Sequence, residues 1–117
     1  MLSKLIFVVL SVGVTLISAT AMASPGVFGM AQIQTLFPGD LGRDCIFFTL
    51  AGVADAQSPS VPGSPWFVLS KAHPNFKEQY ALILASKMSG TPIGVVTTGN
   101  GLPACTGHAE VSYVYVQ

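Results

Sequence analysis

The chain has 117 residues, half of them hydrophobic, with only five basic and five acidic side chains and a formal net charge of zero. Such a balance leaves no electrostatic footprint for nucleic acid and no cationic patch for anionic lipid. The length supports one domain around one core.

In chain order, Lys4 supplies a positive start and Leu5 to Ile17 (LIFVVLSVGVTLI) an unbroken run of apolar and small residues. Ala21-Met22-Ala23 then gives a small-x-small cleavage pattern. Together these predict a secretory signal peptide over residues 1–23, leaving 24–117 as a single domain. The apolar run falls short of the roughly 20 residues that a bilayer span needs. No second such run follows, so no membrane span is expected after cleavage. An uncleaved anchor fits poorly with the Ala-Met-Ala site and Pro25, and no cysteine follows the site to carry a lipid. The expected residence is the periplasm or the medium. The exported part keeps Arg43, Lys71, Lys77 and Lys87 against Asp40, Asp44, Asp55, Glu78 and Glu110. A surface so poor in charge points to self-association.

Val27 to Phe37 (VFGMAQIQTLF) reads as one strand with a half-exposed face. Pro38-Gly39-Asp40 marks a turn, and Cys45 to Val53 (CIFFTLAGV) a buried strand that should close a hairpin with the first. Ala54 to Pro65 (ADAQSPSVPGSP) has three prolines and no apolar rhythm. It is a connection long enough to be a candidate functional loop. Trp66 to Ser70 is a short third strand.

The period then changes. Asn75 with Glu78 three positions on is a variant of the capping box, and Gly90 followed by Pro92 ends a helix. Phe76, Tyr80, Ile83 and Leu84, with Ala81 and Met88, mark its apolar face. Glu78, Gln79, Ser86 and Ser89 mark the opposite one, with Leu82 in its middle. Leu82 is therefore either a lone exposed leucine or an oligomer contact. Ile93 to Thr98 is a fourth strand, and Glu110 to Val116 a fifth. The class is mainly β with one helix, in the order β-β-β-α-β-β. That is the element order of the OB-fold, a five-stranded barrel, although an open α+β sheet shares it.

Export sets the cysteine chemistry. Cys45 and Cys105, alone in an oxidising compartment, read as one disulfide. The alternative, a metal site from Cys45, Cys105 and His108, is poorer in ligands than a structural zinc centre.

Enzyme motifs are missing. His73 and His108 are candidate bases, yet no Gly-x-Ser-x-Gly elbow is present, and Ser64 lies between Gly63 and Pro65. The cysteines are too far apart for a Cys-x-x-Cys redox pair. His108-Ala-Glu110 lacks the downstream cysteines of a zinc deaminase, and no glycine loop leads into a helix to cradle phosphate. No catalytic residue, cofactor or metal is expected. Candidate ligand residues are Trp66, which either stacks on a sugar or caps the core, and Arg43 with Asp44, the densest hydrogen-bonding cluster.

The run Tyr80 to Val96 (YALILASKMSGTPIGVV), a helix ending in glycine that feeds a valine-rich strand, is similar to the B subunits of bacterial pentameric-B toxins. The pertussis and subtilase cytotoxin branch is nearest. The resemblance spans Val27 to Val116 in element order, and the helix–glycine–strand piece in residues. It implies a homopentamer with central helices and glycan binding at cell surfaces. No sugar-binding residue of the family maps onto this chain. The chain also resembles small exported bacterial proteins of unassigned function. Two readings follow: a secreted glycan-binding oligomer, or a periplasmic OB-fold protein that binds an envelope protein or small ligand.

Overall fold

The computed structural model describes residues 26–39 and 44–117. The signal-peptide segment, Asp40 and Arg43 lie outside the described residues. Six strands form one sheet: β1 (Val27–Ala31), β2 (Ile33–Phe37), β3 (Cys45–Leu50), β4 (Phe67–Ser70), β5 (Ile93–Gly101) and β6 (Ala109–Tyr115). The helix α1 (Phe76–Ser89) lies between β4 and β5, and a 3-10 turn over Pro103–Cys105 precedes β6. The sheet order is β1-β5-β6-β4-β3-β2. All neighbours run antiparallel except β4 and β6, which are parallel.

The expected hairpin is present, with Leu36 facing Phe48 and Phe37 facing Phe47. The single first strand is not. The backbone turns at Met30, whose φ of 28° is rare for a residue with a side chain, and the strand breaks at Gln32. Its first half pairs with β5 and its second half with β3, so the two edges of the sheet are consecutive pieces of chain. These edges do not pair with each other, so the ladder is open and has six strands rather than five.

β3 is buried at every position, which explains its uninterrupted apolar reading. Strand alternation sends Ile46, Phe48 and Leu50 to one face and Cys45, Phe47 and Thr49 to the other. The first face carries the main core, where Phe48 stacks on Phe67 and Ile83 enters from the helix. The second carries a smaller cluster of Cys45, Phe47, Val68 and Cys105, with Trp66 and Leu102 at its margin.

The helix ends at Gly90, whose φ of 73° places it in the left-handed region while its N–H caps the Ser86 carbonyl. Asn75 takes the N-cap position but makes no side-chain cap bond. The helix is rotated from the sequence expectation. Ile83 and Ser86 are its buried residues, whereas Leu84 and Met88 are 39% and 81% exposed. Leu82 packs half-buried against the core instead of standing on an outer polar face.

The reason is that polar side chains on the inner side find partners far away in sequence. Gln79 Oε1 accepts the Val114 N–H, and Gln32 Nε2 donates to the Gly90 carbonyl at 2.7 Å. Small Ser86 permits close approach. Leu82→Glu should therefore destabilise the domain by about 2 kcal/mol or more, since it places a charge against the core. Met88→Glu should stay within about 0.5 kcal/mol. Urea unfolding of the two variants checks this, and equal losses would refute the rotation.

Candidate ligand-binding face

The candidate site lies on the sheet face opposite the helix, and strand register builds it in two rows. Phe37 faces Phe47, Phe47 faces Val68, and Val68 faces Glu110, which sets one row across β2, β3, β4 and β6. The parallel ladder pairs Phe67 with Ala109, so one residue earlier it brings Trp66 beside His108. The rings of Trp66 and His108 both stand edge-on to Phe47, with centroids at 6.4 and 5.8 Å and interplanar angles of 83°. Phe37 leans on Phe47 at 6.3 Å and stays 45% exposed. Buried Val68 forms the floor.

Two loops pack along this face. Cys45 and Cys105 are bonded, with Cα atoms 6.2 Å apart, so the turn before His108 is tied to β3. Within that turn the Leu102 N–H reaches the His108 carbonyl, and the Gly107 N–H reaches that of Leu102, each at 2.9 Å. The proline-rich segment is docked rather than free. Buried Ala56 donates its N–H to the Ser64 carbonyl at 2.8 Å, and buried Ser58 donates its hydroxyl to the Gly107 carbonyl. Gly101 lets the segments meet, because a Cβ there would strike the Gly107 carbonyl and the Ser60 hydroxyl.

His108 Nδ1 lies 3.1 Å from Ser64 Oγ, and partial burial lowers the pKa of its imidazole, which favours the neutral ring. Glu110 accepts the Thr98 hydroxyl at Oε1, 3.1 Å away. His73 is fully used in structure: Nε2 donates to the Ser112 carbonyl at 2.6 Å, and Nδ1 accepts the Asn75 N–H at 3.0 Å. It has no free nitrogen to act as a base. Ser64 and His108 do meet, but among the described residues no cluster of three or more His, Cys, Asp or Glu could hold a metal.

Of the residues singled out by sequence, Trp66 lies in this face. Asp44 is exposed beyond the far end of the β3–β4 ladder, its carbonyl accepting the Lys71 N–H at 2.8 Å. Trp66 continues that ladder opposite Thr49, roughly 17 Å from Asp44 at about 3.3 Å per residue, so the two do not share a site. Leu82 is on the opposite side of the sheet, against the main core. Sequence reasoning missed Phe37, Phe47, His108 and Glu110 as one surface. The available signal was the disulfide, which draws the neighbours of Cys105 to the strand that starts at Cys45.

No helix among the described residues is long and apolar enough to cross a membrane. Comparison with protein-family models, curated proteins and solved structures gives no match.

Proposed function

We propose that this chain is an exported, non-enzymatic binding module that recognises cell-surface glycans through the Trp66 face and works as a homo-oligomer. The observation that carries the reading is the rigid row of aromatic rings on a sheet face. Half-buried Trp66 and exposed Phe37, both leaning on buried Phe47, offer flat apolar area of the kind that stacks on a sugar ring, while Ser64, His108 and Glu110 add hydrogen-bonding groups beside it. The loops around the face are pinned by a disulfide and buried hydrogen bonds, so little order has to be gained on binding.

An OB-type barrel is the fold that suits this role. Its support is the passage of the chain from one sheet edge to the other at Gln32, together with the parallel β4–β6 neighbours. Self-association is supported by the outer helix side, where Ala81, Leu84, Ala85 and Met88 form an exposed apolar stripe at helical spacing. A pentamer is the assembly implied by the toxin-subunit resemblance, and native mass spectrometry of the disulfide-intact domain measures it.

Binding is tested by retention on immobilised saccharides. Trp66→Ala should weaken binding by roughly 10- to 100-fold, the usual cost of truncating an aromatic anchor. A folded domain that retains no saccharide overturns the proposal.

A further inference from the structure

We propose that His108 and Glu110 form a donor–acceptor pair that selects a neutral saccharide, one presenting adjacent hydroxyls, over an acidic one. The inference rests on the glycan reading above and adds the ligand class and the residues that read it.

The argument starts from one hydrogen. Ser64 Oγ lies 3.4 Å from the Trp66 backbone nitrogen and 3.1 Å from His108 Nδ1. A backbone N–H only donates, so the hydroxyl oxygen accepts from Trp66. Nδ1 is the one acceptor that the described residues offer the hydroxyl hydrogen, so the proposal assigns that hydrogen to Nδ1 and makes Nδ1 the acceptor. With the ring neutral, its own hydrogen sits on Nε2. No described residue takes that hydrogen. No buried side-chain nitrogen or oxygen among the described residues lacks a partner either, so Nε2 is open to solvent and to a ligand. The network thus presents a fixed N–H donor beside the Trp66 ring.

Glu110 supplies the complementary half. Two positions along the strand puts it on the same face as His108, about 6.6 Å away in backbone terms at about 3.3 Å per residue. Oε1 is occupied by the Thr98 hydroxyl, while Oε2 has no partner among the described residues. A carboxylate oxygen accepts and cannot donate. Sugar hydroxyls do both, so one hydroxyl accepts from Nε2 while its neighbour donates to Oε2. The apolar ring face meanwhile lies against Trp66, which Phe47 backs from beneath. The same carboxylate repels an anionic sugar, and the neutral imidazole offers it no charge in return. Recognition by a hydrogen-bonded pair is worth most when the alternative leaves one member unpaired.

The test uses the disulfide-intact exported domain on paired immobilised oligosaccharides that differ only in whether the terminal sugar is neutral or capped by an acidic one. The neutral member should be retained at least 10-fold better. His108→Ala and Glu110→Gln should each lower that retention by about 10-fold, with unfolding midpoints recorded to establish that the variants are folded. In the unaltered protein, nitrogen NMR of the imidazole should report the hydrogen on Nε2 and a shift of that signal when a neutral methyl glycoside is added. Preference for the acidic member, or an Nδ1–H tautomer, overturns the inference. So does full retention by both folded variants. Loss of all retention in the unaltered protein instead defeats the glycan reading itself.

Discussion

Replacing Cys45 and Cys105 together by serine should lower stability by about 4 kcal/mol. The two cysteines are 60 positions apart, so the bond removes much of the freedom of the unfolded chain by closing a long loop. Both are about 1% exposed in the folded state, so each serine would also bury a hydroxyl in the small second cluster. For a domain of this size, whose total stability is typically 5–15 kcal/mol, that is a large share. It corresponds to roughly 15–30 °C in melting temperature.

The loss should also be local. Without the bond, the turn carrying His108 keeps its hydrogen bonds to Leu102 but loses its anchor on β3, so on the proposed glycan reading saccharide retention should fall before the sheet melts. Denaturation of the oxidised protein beside the double-serine variant measures the effect. A difference under about 1 kcal/mol would mean that the bridge constrains little.

Phe67→Ala should cost about 3–5 kcal/mol. Phe67 has no exposed surface and belongs to β4, which has a neighbouring strand on either side. Its ring stacks on Phe48 at 5.4 Å and meets Phe28 edge-on at 5.0 Å, so truncation opens a cavity between β1, β3 and the helix layer. Phe37→Ala provides the contrast. That ring is 45% exposed and touches one aromatic neighbour, so its loss should stay near 1 kcal/mol or below. Similar losses for the two variants would show that the core is not where the burial places it.

The sequence made the strands legible wherever one physical cause dominated. Cys45 to Leu50 reads as buried because both of its faces are covered, and the helix ends where Gly90 adopts a left-handed turn. What could not be read was any feature decided by a distant partner. Gln79 and Ser86 look like surface residues until Val114 and the sheet are brought against them, and turning that side inward leaves Leu84 and Met88 outside. The break at Gln32 follows from a left-handed Met30, a conformation that no local residue type announces. Trp66 was visible as a candidate on its own. Its partnership with His108 and Glu110 depends on the parallel pairing of β4 with β6, which element order alone does not specify.

That pairing scheme has a consequence for when the molecule can fold. Among the described residues β1, near residue 30, pairs with β5, which ends at Gly101, and β4 waits for β6. The bridge likewise joins Cys45 to Cys105. Before β5 and β6 are made, the sheet can hold only the β2–β3–β4 meander, and three strands with an uncovered apolar face are a weak intermediate. Non-local pairing of this kind makes the search slow, on the millisecond-to-second scale of β-rich domains. The six-stranded ladder is therefore complete only once β6, its last strand, has been made.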